Sequence, residues 1–283
     1  LGCLLPPSLA LIIYGTFTDT SVARLFMAGV IPGLLLTGLF MAYIAVHTLL
    51  RPGVAPPDRR ELTLVTLLRA VADVLPFVVL VAGTLGSIYL GFVTPTEAAA
   101  IGSIFAIVIA RIWGNLTLRT FAQALNGTVQ LVGNLLFIIY AAYLFSYAIS
   151  LAGVGESLTA YLVHLDLSRF KFFLALFVLY TVLGCLVESI GMIVITVPLL
   201  YPVLIKYGID PIWFGIVLVL FIELGAISPP IGINLFVIQS IWKGDMSEVV
   251  LGTIPFHLVM FFLLVLLVAW PELALWLPAQ MAR

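Results

Sequence analysis

The stretch "ELGAISPPIGINLFV", residues 223–237, decides how the rest of the chain is read. It sits within an otherwise apolar run, yet it holds a carboxylate, a serine, two consecutive prolines, glycines and an asparagine. Inside a bilayer, each unpaired backbone group costs several kcal/mol. A helix broken at that depth must have its free carbonyls answered by the protein around it or by a ligand.

The surrounding composition makes the membrane setting plain. Of 283 residues, 63% are hydrophobic and 9% charged, with a mean hydropathy of +1.27. Soluble domains are about a quarter charged. Apolar runs near the roughly 20 residues of one helical crossing recur along the whole chain, which reads as one polytopic, all-α membrane domain in a lipid bilayer. A net charge of −1 argues against nucleic acid as a partner. Cys3 and Cys185 lie in apolar surroundings and form no disulfide framework, and three scattered histidines offer no metal-ligand spacing.

A second stretch resembles the first. In "LGCLLPPSLALIIY", residues 1–14, Leu1, Gly2 and Pro6-Pro7 align with Leu224, Gly225 and Pro229-Pro230. The remaining Pro-Pro pair, Pro56-Pro57, lies in a polar loop beside Asp58, Arg59 and Arg60. Matching interrupted segments in two halves of a membrane chain point to the binding site of a transporter. Between the copies, apolar spans are expected at about 27–49, 75–92, 95–113 and 129–152. Two further runs, about 170–187 and 192–205, flank the polar knot "VESIGM" and read as a re-entrant hairpin, because Glu188, Ser189 and Gly191 would be costly facing lipid. The broken helix, about 211–242, follows. Four crossings and a returning hairpin leave the two breaks antiparallel, as an inverted repeat.

Loop charge orients the chain. Arg51, Arg59, Arg60, Arg69, Arg111, Arg119 and Lys243 fall on one side, against Arg24, Arg169, Lys171, Lys206 and Arg283 on the other. The excess marks the first side as cytoplasmic. Segments at about 60–74 and 116–128 are amphipathic and read as helices lying on that surface.

"LGCLLPPSLALIIYG", "LFMAGVIPG", "GFVTPTEAAAIG", "GCLVESIGMIVITVPLLYPV" and "GAISPPIGINLFV", taken in order, resemble the large membrane (permease) subunit of tripartite ATP-independent periplasmic (TRAP) transporters. The resemblance implies an elevator mechanism with sodium as coupling ion and no other cofactor. It also implies an organic acid substrate, dicarboxylate- or sugar-acid-like, delivered by a periplasmic substrate-binding protein. A small TRAP membrane subunit and a bacterial inner-membrane location come with it. Members are longer at the N-terminus, so the chain is read as N-terminally truncated, lacking its first hairpin and unable to transport by itself.

The residues themselves agree. Proline lacks a backbone donor and clashes one turn back, so Pro229-Pro230 should free carbonyls near Gly225, Ala226 and Ile227. Such carbonyls can hold a cation while half-helix N-termini face an anion. Ser228 and Asn234 add neutral oxygens, giving a sodium site at Gly225, Ser228 and Asn234. Ser8 after the first break, and Glu188 and Ser189 at the hairpin tip, complete the expected ion and substrate ligands, with Gly191 closing the tip. Glu223 is given no ligand role. Glu97, in "TPTE", reads as half of a capping box with Thr94, Pro95 opening the helix. His47, His164, His257, Asp73, Asp166 and the five tryptophans read as structural.

The expected layout is therefore 1–18 as the end of the first repeat's broken helix, 19–152 as scaffold and arm helices, 153–242 as the second repeat, and 243–283 as a C-terminal helix. A rival reading is a stand-alone sodium- or proton-coupled carboxylate symporter of elevator type, needing no binding protein. A membrane enzyme would need a paired catalytic set, and the sequence has no G-x-S-x-G or H-E-x-x-H.

Overall fold

The computed structural model describes residues 1–51, 53, 63–164, 168–229 and 231–281, and among these the regular structure is helical throughout. The polar loop with Pro56-Pro57, together with Asp166 and Pro230, lies outside them. Twelve helices follow in order among the described residues: α1 Leu9–Thr18, α2 Val22–Leu50, α3 Leu64–Tyr89, α4 Pro95–Ile112, α5 Leu118–Leu151, α6 Val154–His164, α7 Arg169–Gly184, α8 Ser189–Lys206, α9 Pro211–Ala226, α10 Ile233–Trp242, α11 Met246–Ala269 and α12 Glu272–Ala279. Six of them, α2, α3, α4, α5, α8 and α11, are long and apolar enough to cross a membrane. The chain forms two compact units, Leu1–Phe40 with Leu135–Gln280, and Met41–Asn134 with Met281–Arg283.

The first unit is built around α9. Asp210 caps it, its carboxylate accepting from the Ile212 and Trp213 amides at 2.7 and 3.1 Å, and Pro211 occupies the first helical position, where no donor is needed. Every residue from Trp213 to Ala226 except Glu223 is buried. A helix apolar on all sides belongs inside a larger assembly, and α1, α7, α8, α10, α11 and α12 all pack on this one. Polar tips tie the bundle where apolar burial alone would leave orientation loose. Tyr14 donates from α1 to the Pro211 carbonyl at 2.7 Å, and the Trp213 indole donates to the Leu267 carbonyl of α11 at 2.9 Å. Tyr180 of α7 pairs with Thr196 of α8 by their hydroxyls.

In the second unit α3 and α4 pack on each other. Ile88 is the one buried residue of α3, and Ala98 the one of α4. Phe77, at 72% exposure, is typical of the apolar side chains left outside, as expected of helices whose solvent is lipid. The Thr94–Glu97 capping box is present: Glu97 accepts from the Thr94 amide at 2.7 Å while the Thr94 hydroxyl accepts from the Glu97 amide at 3.3 Å.

Two expectations are corrected here. The segments at 60–74 and 116–128 are not separate surface helices. Their described residues open α3 and α5, which continue unbroken into the apolar spans. The Asn126-Gly127 pair lies inside α5 without ending it, and at Pro76 the flanking turns carry the helix past one missing bond. At 1.5 Å per residue, α5 is about 51 Å long against a hydrocarbon core of about 30 Å, so its polar first turns can lie beyond the core.

Candidate functional site

The interrupted helix is present. α9 stops at Ala226, the described residues 227–229, 231 and 232 are non-helical, and α10 starts at Ile233. The cause is local. A fourth-residue donor to Gly225 would be Pro229, and one to Ala226 would be Pro230; neither has an amide proton. The Gly225 carbonyl recovers a partner, accepting from the Ser228 amide at 3.0 Å. The expectation that it stands free is corrected by that short turn. Among the described residues no backbone amide donates to the carbonyls of Ala226 or Ile227. Gly232 closes the segment with φ +40°, and a Cβ there would meet the Ser228 carbonyl oxygen at 2.8 Å, so only glycine fits without strain. No side chain caps α10.

The other break lies before α1. Residues 1–7 form a tight turn in which the Leu4 and Leu5 amides donate to the Leu1 carbonyl at 3.0 and 2.9 Å, with Pro6 buried and Pro7 exposed. Ser8 ends it. Its buried hydroxyl donates to the Cys3 carbonyl and accepts from the Leu11 amide at 3.3 Å, which caps α1. Leu1 and Glu223 line the same cavity, which brings this turn beside the last part of α9.

The hairpin of α7 and α8 turns at residues 185–188. Glu188 is exposed and caps α8, accepting from the Ile190 amide at 3.2 Å, and Ser189 is the first residue of α8. Gly191 does not form the turn as expected. It lies inside α8, where a Cβ would meet the Val187 side chain at 3.0 Å; the turn is closed by the Leu186 and Val187 amides donating to the Leu183 carbonyl. The tip meets the second break directly. The buried Cys185 thiol donates towards the carbonyls of Ser228 and Pro229 at 3.5 and 3.8 Å. Gly184 and Gly225 touch, since a Cβ on Gly184 would stand 2.5 Å from the Gly225 Cα.

Ser228 is 7% exposed. Its hydroxyl donates to the Leu224 carbonyl at 2.7 Å and lies 2.8 Å from His257 Nε2 of α11. Asn234, half-buried, occupies the first turn of α10. Beside the break a cavity of about 560 Å³ is lined by Glu223, Ile227, Trp242, Glu248 and Phe256, with Leu1 and Phe40 at its edge. Gly225, Ala226 and Ser228 thus meet Gly184 and Cys185 at the end of the hairpin, Asn234 follows on α10, and Ser8 serves the first break. His257, Cys185 and Gly184 were not singled out from sequence. For His257 the available signal was a titratable residue in the middle of an apolar span; Gly184 and Cys185 carried none.

Interrupted apolar helices that turn backbone oxygens into a protein interior mark membrane transporters, and this chain is of that class. Residues 1–273 match the family model for the "Tripartite ATP-independent periplasmic transporter, DctM component". The chain belongs to that family, the large permease subunits of TRAP transporters. It is 32% identical over 281 residues to the C4-dicarboxylate TRAP transporter large permease protein DctM of Pseudomonas aeruginosa, covering 98% of this chain and 65% of that one. It is 30% identical over 281 residues to the sialic acid TRAP transporter large permease protein SiaM of Vibrio cholerae, covering 98% and 65%. It is also 30% identical over 276 residues to the ectoine/5-hydroxyectoine TRAP transporter large permease protein UehC of Ruegeria pomeroyi, covering 97% and 64%. The chain spans about two thirds of the length of these relatives.

Proposed function

We propose that this chain carries the second half-site of a sodium-driven importer of an organic acid anion in a bacterial inner membrane. The importer works with a small membrane subunit and is fed by a periplasmic substrate-binding protein. The observation that carries the reading is the second break, where the carbonyls of Ala226 and Ile227 have no amide donor among the described residues and lie beside the buried Ser228 hydroxyl. Neutral oxygens of this kind suit a hard monovalent cation, and no carboxylate is needed among them. The residues that would hold sodium are Ala226, Ile227, Ser228 and Asn234. When bound, the ion supplies positive charge next to the start of α10, whose own N-terminus also favours an anion. The substrates named for the relatives, a C4-dicarboxylate, sialic acid and ectoine, all carry a carboxylate, which is the group such a charge would attract.

In this reading the α7–α8 hairpin is re-entrant. α7 has 16 residues, about 24 Å, which is short of the hydrocarbon thickness. The two breaks are related as an inverted repeat, and the α9-centred unit is the moving part of an elevator. The test is reconstitution of the full-length protein with its small subunit in liposomes. Uptake of a radiolabelled C4-dicarboxylate or sugar acid is expected only with a loaded binding protein outside and an inward sodium gradient. Uptake that proceeds without the binding protein would replace this reading with a stand-alone symporter, and uptake indifferent to sodium would remove the ion site.

A further inference from the structure

The hydroxyl of the second break is held by a residue from another helix. His257 lies one turn after Thr253 on α11, and its ring reaches the Ser228 hydroxyl through Nε2. The Ser228 proton goes to the Leu224 carbonyl at 2.7 Å, so the donor that matches its oxygen at 2.8 Å is Nε2–H. A neutral ring protonated at Nε2 supplies it. The serine oxygen then accepts one hydrogen bond and keeps a lone pair.

A serine within a helix usually back-bonds to the fourth preceding carbonyl and needs nothing more. Ser228 makes that bond, so the imidazole is an addition. It is placed in a span whose other residues from Val249 to Ala269 are apolar apart from Thr253. A polar side chain in such a span is expensive unless it serves a site.

We infer that His257 is a positioning residue for the ion site, holding the Ser228 oxygen with its proton turned to the Leu224 carbonyl and its remaining lone pair open to sodium. This rests on the reading of Ser228 as a sodium ligand. Because the ring touches no ion itself, its loss should change how much sodium is needed rather than abolish the response.

The experiment uses the full-length protein purified in detergent, with thermal unfolding followed as sodium replaces choline at constant ionic strength. His257→Leu is expected to raise the half-saturating sodium concentration about tenfold, the scale of one hydrogen bond lost from a ligand shell. His257→Gln, whose side-chain amide Nε2–H can donate from the place of the imidazole Nε2, is expected to restore most of the affinity. The substrate KM at saturating sodium should be retained in both. If Ser228→Ala raises the sodium midpoint and His257→Leu does not, the positioning role is overturned while the ion site stands. If neither variant moves the midpoint, the reading of Ser228 as a ligand fails as well. A His257→Leu protein that melts lower by the same amount with and without sodium would reduce the contact to a structural bond. A Gln variant as impaired as the Leu variant would overturn the donor argument.

Discussion

The two Pro-Pro breaks start from nearly the same residues and are satisfied in opposite ways. The first answers itself within five residues: the Ser8 hydroxyl covers the Cys3 carbonyl and caps α1 in one stroke. The second cannot, because its aligned position after the prolines is Ile231, and α10 begins without a side-chain cap. Its partners come from far along the chain, Cys185 from the hairpin tip and His257 from α11. A break closed by its own segment is a fold element. One whose oxygens depend on other helices changes when those helices move, which is what a transport site has to do.

The comparison predicts a graded response to substitution. The largest effect is expected at Gly232, whose left-handed φ and close Ser228 carbonyl shape the second break. Gly232→Val should cost about 1–3 kcal/mol in backbone strain, with the carbonyl contact added, and abolish sodium-driven uptake by the reconstituted full-length protein. Near-normal uptake would mean that the shape of the break is not required. Next comes Asn234→Ala. One oxygen bound to an ion is worth about 1.5–3 kcal/mol, so half-maximal uptake should need roughly ten to a hundred times more sodium, with expression unchanged. An overlaid sodium curve would remove Asn234 from the ligands. The smallest effect belongs to the first break, where Ser8→Ala removes a helix cap worth about 1 kcal/mol. Stability in an unfolding titration should fall by that amount, while the sodium midpoint moves far less than in Asn234→Ala. Equal shifts in the two variants would erase the distinction between the breaks.

What the sequence made legible was local. The Pro229 break and the Thr94–Glu97 box each depend on residues within a few positions, so donor counting and capping rules reach them; the hairpin turn was legible only approximately, since it falls at 185–188 and Gly191 lies inside α8. Partner choice over distance was not legible. Nothing near Ser228 indicates a histidine 29 positions later, and nothing near Tyr14 indicates the Pro211 carbonyl 197 positions away. The reading of 60–74 and 116–128 as surface helices failed for a related reason. Amphipathic spacing reports which face is polar, not where a helix ends, and Asn126-Gly127, a pair that commonly marks a turn, lies inside α5.

The contact of Gly184 with Gly225 has a mechanical meaning. Helices separated by side chains have slack, because rotamers can change and let one slide on the other. Here hydrogen atoms alone lie between two backbones at the level of the break, and a Cβ on Gly225 would also strike the Tyr180 carbonyl at 2.5 Å. That seam has no bearing surface to yield. A push on the hairpin tip is delivered to the end of α9 without lag, so the tip and the first half of the broken helix behave as a single stiff lever, and any flexing of the break is left to the Gly232 side.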